Sequence, residues 1–328
     1  MSEQTNGART DQDNGDLKTD DEALNVLLDA DIDKVMAGLD KIVEAAPSYE
    51  KLFMRWQRQH WSTEDFDFSE DARQWADPDA FTEDERRFIE FGFSEFFLGE
   101  ERVTVELLPF ALAAPTHEAQ VFLTTQISDE AKHVVFWDRF YREALGVDAT
   151  GLGAMIAKQR YVVNKDWETL FDGILHDCAE RLREDPSDFP ALVRGVTTYM
   201  IVIEGMLALT AARFMIKSLR ERGWFPGFTQ GFTAVNRDES RHVGFGVKFL
   251  ADAIKDDPAN ARIIEDTLKE CLPVAPLVFV PPWVDDPYDF DTPFYHSSEI
   301  FEYAAKSLSK KLAAMGLDPA MLGDPTPA

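Results

Sequence analysis

Cysteine is almost missing from this chain: Cys178 and Cys271 are the only two among 328 residues. Two thiols cannot form a disulfide framework, and their spacing matches no zinc motif. The expectation is a reducing, cytoplasmic setting. Basic residues are scarce as well. Lys and Arg total 33 against 60 Asp and Glu, a formal net charge of -27. A surface this acidic repels nucleic acid and anionic membranes, and its simplest reading is a solvated coat of the kind found in proteins adapted to high salt. No uncharged apolar run approaches the roughly 20 residues that a membrane span needs. The opening stretch MSEQTNGARTDQDNGDLKTDD lacks the apolar segment of a signal peptide. A soluble protein without a membrane span or a nucleic-acid partner is therefore expected.

Strand signals are also nearly absent, and the sequence is instead dominated by long helical patterns. Residues 1–20 read as a disordered acidic tail, and 21–62 as an N-terminal helical extension. The main domain, 63–316, opens its first long helix at Thr82 with the capping box Thr82-Glu83-Asp84-Glu85. That helix is expected to run to about Ala113, where Pro115 interrupts it. A second covers about Thr116 to Leu145 and stops at Gly146. A shorter helix lies near Asp166 to Glu184, and a third long one spans about Asp188 to Arg222, closed by Gly223. The fourth begins after Pro226 and persists to about Lys255, and a further helix covers about Asn260 to Leu272. The proline content from Pro273 to Pro293 predicts an extended surface segment. One more amphipathic helix, Ser297 to Met315, precedes a polar tail, 317–328. Helices of about 30 residues are about 45 Å long and must bury an apolar face along their whole length. The fold class expected is all-α, a four-helix bundle core with accessory helices.

Glu-x-x-His occurs twice, as Glu130-Ala131-Lys132-His133 and Glu239-Ser240-Arg241-His242. Residues i and i+3 of a helix project from one face, so each pair can close on one metal ion. The other two long helices each carry a carboxylate in apolar surroundings. Glu204 sits within Tyr199-Met200-Ile201-Val202-Ile203-Glu204-Gly205-Met206-Leu207, and Glu100 follows Phe96-Phe97-Leu98-Gly99. A buried, unpaired carboxylate costs several kcal/mol, so each needs a cation, a hydrogen-bond partner or a proton. Arg194 and Arg213 are the arginines that could pair with Glu204. Taken in order, the four helices offer Glu, Glu-x-x-His, Glu, Glu-x-x-His, the ligand set of ferritin-like di-iron and di-manganese carboxylate bundles. Four carboxylates and two neutral imidazoles balance two divalent ions. Oxygen and imidazole donors without thiolate suit iron and manganese.

These residues resemble the ribonucleotide reductase small-subunit superfamily. The likeness lies in Gly99-Glu100-Glu101-Arg102-Val103, Asp129-Glu130-Ala131-Lys132-His133 and Asn236-Arg237-Asp238-Glu239-Ser240-Arg241-His242, and covers roughly Trp61 to Leu272. Glu204-Gly205-Met206-Leu207-Ala208-Leu209-Thr210 is most similar to the small-subunit-like ligand-binding oxidases. That resemblance implies a manganese/iron centre, with di-iron as the other option, and dioxygen as oxidant. It also implies a long-chain fatty acid ligand, a homodimer, and an ether cross-link between Val103 and Tyr199. Gly205, Ala208, Ala211 and Ala212 are small enough to leave a channel for such a ligand. Tyr199 is less obviously aimed, because five residues before Glu204 is not a same-face spacing in an α-helix.

The alternative within the superfamily is a reductase small subunit that supplies a radical to a large subunit. Trp137 stands where that family keeps its radical tyrosine, and no tyrosine follows Tyr303. Trp61 and Asp238 match the family's electron-transfer path, but the oxidases share them, so Asp238 is expected to orient a ligand histidine. A ferritin-like metal-binding module is the second alternative.

Overall fold

The structure is a computed structural model that describes residues 32–322. The expected tail at 1–20, the start of the extension at 21–31 and residues 323–328 of the C-terminal tail lie outside the described residues. Among the described residues twelve helices carry the fold: α1 Ile32–Ala45, α2 Tyr49–Arg58, α3 Ser69–Ala76, α4 Glu83–Glu106, α5 Leu108–Ala113, α6 His117–Glu143, α7 Leu152–Gln159, α8 165–184, α9 Phe189–Arg222, α10 Pro226–Asp256, α11 Asn260–Cys271 and α12 Ser297–Ala314. Among the described residues the only β pairing is an isolated bridge between Asp291 and His296. This is an all-α ferritin-like bundle: α4, α6, α9 and α10 form its core, and the other helices pack around them.

Local chemistry sets the helix ends. Thr82 accepts from the Glu85 N–H while Glu85 reaches back to the Thr82 N–H, so the capping box opens α4. Gly146 and Gly223, both at φ +67°, terminate α6 and α9 in the left-handed region that favours glycine. The α10 N-terminus has no capping side chain of its own, and Asp71 of α3 serves instead. Its carboxylate accepts from the N–H groups of Gly227 and Phe228 at 2.9 and 2.7 Å. Burial raises the Asp71 carboxyl to about 6 against the pull of those two bonds.

Three details depart from the sequence expectation. The helix predicted from Thr82 to Ala113 breaks at Leu107, because Pro109 in the next turn has no N–H to offer. The stretch Pro273 to Pro293 is not wholly extended or superficial: Ala275–Phe279 makes a short 3₁₀ turn that buries Ala275 and Val278. The N-terminal helices are also less separate than the word extension suggests. Ile32, Val35, Leu39 and Leu52 join the same hydrophobic core as the bundle.

Helices α8 and α9 carry wide, π-type turns, at Glu168–Leu175 and Thr197–Ala208. A π turn bonds residue i to i+5 rather than i+4, and within a helix it marks functional sites disproportionately often. The apolar stretch Phe189–Arg222 is long and apolar enough to cross a membrane, but 78% of its most apolar window is buried inside the bundle. It is a core helix.

Candidate metal centre

All six residues predicted as ligands converge in the bundle interior, and all six are buried. They form two overlapping tetrads: Glu100, Glu130, His133 and Glu239, and Glu130, Glu204, Glu239 and His242. Within each, one donor atom per residue lies within 4.8 Å of the others. Glu130 and Glu239 belong to both.

The atoms show how the halves are joined. His133 Nδ1 faces Glu100 Oε2 at 3.3 Å, Glu130 Oε2 at 3.6 Å and Glu239 Oε1 at 3.2 Å. His242 Nδ1 faces Glu130 Oε1 at 3.1 Å, Glu204 Oε1 at 3.4 Å and Glu239 Oε2 at 3.4 Å. Each shared carboxylate thus turns one oxygen to each half. Neither arginine considered as a partner of Glu204 reaches it. Arg194 pairs with Glu270, and Arg213 pairs with Asp33. Glu204 Oε1 accepts from Gln126 Nε2 at 3.0 Å, while Oε2 and His242 Nδ1 have no hydrogen-bond partner among the described residues.

The imidazole Nε2 atoms point the other way, each at an aspartate on the opposite helix. His133 Nε2 lies 3.4 Å from Asp238, and His242 Nε2 lies 3.3 Å from Asp129. Arg241, also buried, donates to both aspartates at 2.7 and 2.8 Å. Each aspartate additionally accepts from an indole: Trp61 Nε1 to Asp238 at 2.7 Å and Trp56 Nε1 to Asp129 at 3.1 Å. Trp61 and Asp238 were expected here, whereas Asp129 and Trp56 were missed. The signal for Asp129 was present: Asp-Glu-x-x-His occurs twice, so Asp129 precedes Glu130 as Asp238 precedes Glu239.

Tyr199 is buried, and its hydroxyl donates to Glu130 Oε1 at 2.7 Å. The wide turn at Thr197–Ala208 explains this placement. Turns closed by i→i+5 bonds rotate less per residue than α turns, which swings Tyr199 toward the face of Glu204. Val103 borders an apolar cavity of about 60 Å³ whose wall also includes Glu100, Glu130, Glu204 and Glu239. Of the small residues read as channel-forming, Ala208 and Ala212 line this cavity and Ala211 lines a second one. Gly205 does not: a Cβ there would meet Lys311 Cε of α12 at 2.7 Å.

Electrostatics explains what the site lacks when free of cations. Burial raises the Glu100 carboxyl to about 8, against the opposing pull of His133, and raises Glu204 well above the usual carboxylate range. Burial works against the charged form of Glu130 too, but His133 and His242 outweigh it and hold that carboxyl low. Burial opposes protonation of both imidazoles, yet the surrounding carboxylates raise them well above their ordinary value. The protein thus crowds acid around this point and neutralises it with protons. The unpartnered Glu204 and His242 atoms and the all-oxygen-and-imidazole donor set fit two divalent first-row ions.

The fold and the site together define a di-metal carboxylate bundle. Residues 45–274 match the sequence profile of the family Ribonucleotide reductase, small chain, and the chain belongs to that family. Its solved structural neighbours include variants of an R2-like ligand-binding oxidase with an anaerobically reconstituted Mn/Fe cofactor. Two of these are 26% identical, with TM-scores of 0.67 and 0.68, and cover 81% of this chain and 92% of theirs. Another, 25% identical at a TM-score of 0.68, holds a non-activated Mn/Mn cofactor.

Proposed function

We propose that the chain is a di-metal oxidase that uses dioxygen for a two-electron oxidation. Glu100, Glu130, His133, Glu204, Glu239 and His242 would hold manganese and iron, as in the R2-like ligand-binding oxidases. The observation that carries this reading is the division of the Glu130 and Glu239 oxygens between the two halves of one buried cluster. When bound, the metal pair supplies Lewis acidity and the electrons that reduce dioxygen. The protein's part is positional. Asp129 and Asp238 fix the imidazoles with Nδ1 inward, Gln126 orients Glu204, and the apolar cavity wall excludes water. Tyr199 holds its proton on the hydroxyl that faces Glu130, since burial and three nearby carboxylates keep the phenol well above its usual range.

Val103 and Tyr199 would be joined by an ether bond, as the oxidase resemblance implies. One C–H of Val103 and the O–H of Tyr199 break, a C–O bond forms, and two protons and two electrons pass to dioxygen. The cavity beside Val103, about 60 Å³ in this conformation, would have to widen to take a long-chain fatty acid with its carboxylate toward the cluster. A homodimer is proposed on the same resemblance.

Metal analysis of single variants tests the centre. Glu130→Ala is expected to lose both ions and Glu100→Ala only one; full occupancy in Glu130→Ala would remove the proposed site. Peptide mass spectrometry after aerobic loading with manganese and iron should find a Val103–Tyr199 linked peptide lighter by two hydrogens. A second reading, a small subunit that passes oxidising equivalents to a reductase large subunit, is equally served by the chain of contacts from Trp61 through Asp238 to His133, which the oxidase resemblance shares. Absence of the linked peptide, together with turnover when a large subunit is added, would favour that reading.

A further inference from the structure

Two buried side chains in the cavity wall have polar atoms that the metal cluster does not use. Glu95 lies on α4, five residues before Glu100, in the aromatic run Phe93-Ser94-Glu95-Phe96-Phe97. It is 6% exposed, and neither of its carboxyl oxygens has a hydrogen-bond partner among the described residues. Asn236 on α10 is 1% exposed. Its Nδ2 donates to the Phe232 carbonyl at 2.7 Å, but its Oδ1 has no partner. Both residues line the apolar cavity that ends on the cluster.

Glu95 also holds a strategic position. It borders a second apolar cavity, which shares Glu95, Phe96 and Phe279 with the first. The second cavity reaches Phe294 and Tyr295, and these two residues also line an open surface groove. Glu95 therefore lies in the wall common to the two cavities. Burial with no cation beside it keeps this carboxyl protonated, well above the usual carboxylate range. A protonated carboxyl both donates and accepts, whereas Asn236 Oδ1 only accepts.

We propose that Glu95 and Asn236 form a polar subsite that recognises a hydroxyl group on an otherwise aliphatic ligand. The inference rests on reading this cavity as the ligand site. A hydroxyl accepts from the Glu95 O–H and donates to Asn236 Oδ1, so both orphans are satisfied. An ether or ketone can only accept and leaves Asn236 unpaired. An unsubstituted alkyl chain leaves both unpaired, and an ammonium would ionise Glu95 in apolar surroundings.

The test uses the full chain without metal, so that it is independent of the metal reading. The probes are 1-hexanol and its isostere 1-methoxypentane, which can only accept a hydrogen bond. Calorimetric or NMR titration is expected to show the alcohol binding about tenfold tighter than the ether, the size of one buried hydrogen bond. Asn236→Leu should erase that preference, whereas Glu95→Leu should weaken binding of both probes and Glu95→Gln, which still donates, should restore it. Circular dichroism checks that each variant folds. Equal binding of the two probes, binding of neither, a preference that survives Asn236→Leu, or unchanged affinity of both probes in Glu95→Leu would overturn the proposal. Metal stoichiometry, measured separately, would be untouched by any of these results.

Discussion

Glu130 and Glu239 differ from the other four cluster residues in facing both halves, so the consequences of substitution should divide along the same line. The aspartates behind the imidazoles act at one remove. Asp129→Asn and Asp238→Asn are each expected to weaken metal binding by about 10–100-fold, measured by competition with a chelator. Equal losses would fit the paired geometry, in which each aspartate backs one histidine across the bundle. The protons in the ion-free cluster have a consequence for pH. Glu100 rises from 4.5 to about 8, so the folded, metal-free state binds more protons there than the unfolded chain. By linkage the metal-free protein should lose stability as pH rises from about 4.5 to about 8, and added metal should remove that decline. Thermal unfolding across this window, with and without manganese and iron, provides the measurement; parallel profiles would contradict it.

Among the helices, α9 departs furthest from regular geometry. Its wide turn places Tyr199 over Glu130, and α12 packs directly behind that turn. Ser307 of α12 donates to the Gly205 carbonyl at 3.1 Å, and the buried Lys311 donates to Ser307 Oγ at 2.7 Å. Gly205→Ala would drive a Cβ to 2.7 Å from Lys311 Cε and 2.8 Å from the Met200 carbonyl. A loss of about 1–3 kcal/mol is expected in denaturant unfolding, because the backbone contact cannot yield as a side chain can. Lys311 itself is lowered by burial from 10.5 to about 7. Its unfolded form binds more protons between those values, so stability should rise with pH from about 7 to about 10.5. Lys311→Met is expected to flatten that rise and to be the more stable protein at neutral pH. Unfolding curves at several pH values check this, and an unchanged slope would refute it.

At the level of the whole molecule, the net charge of -27 is the dominant long-range force. Self-repulsion opposes compaction, and salt screens it: the screening length falls from about 10 Å at 0.1 M to about 3 Å at 1 M. Tm is therefore expected to rise between these salt concentrations in a scanning calorimetry series. A falling Tm would show that the acid is locally paired rather than mutually repelling. The isolated pairs on the surface, such as Arg262 with Asp266, contribute little to this balance.

Helical periodicity, capping residues and the two Glu-x-x-His pairs determined the bundle and its six inward-facing donors, because same-face spacing and the cost of burying acid are local properties of a chain. Asp129 was legible from the repeated Asp-Glu-x-x-His, and Glu95 from its aromatic neighbours, by the reasoning that exposed Glu204. Trp56 carried no such signal, since its partner lies 73 residues away. The break at Leu107 and the burial of Ala275 and Val278 depended on how proline-bearing segments pack. The wide turn in α9 was beyond the sequence for a deeper reason. An α-helical reading puts Tyr199 and Glu204 on different faces, and the wide turn, against which α12 packs, brings both to the cluster. The sequence thus determined which residues could bind metal, and the tertiary structure decided how their oxygens divide between the two halves of the cluster and which tyrosine looks on.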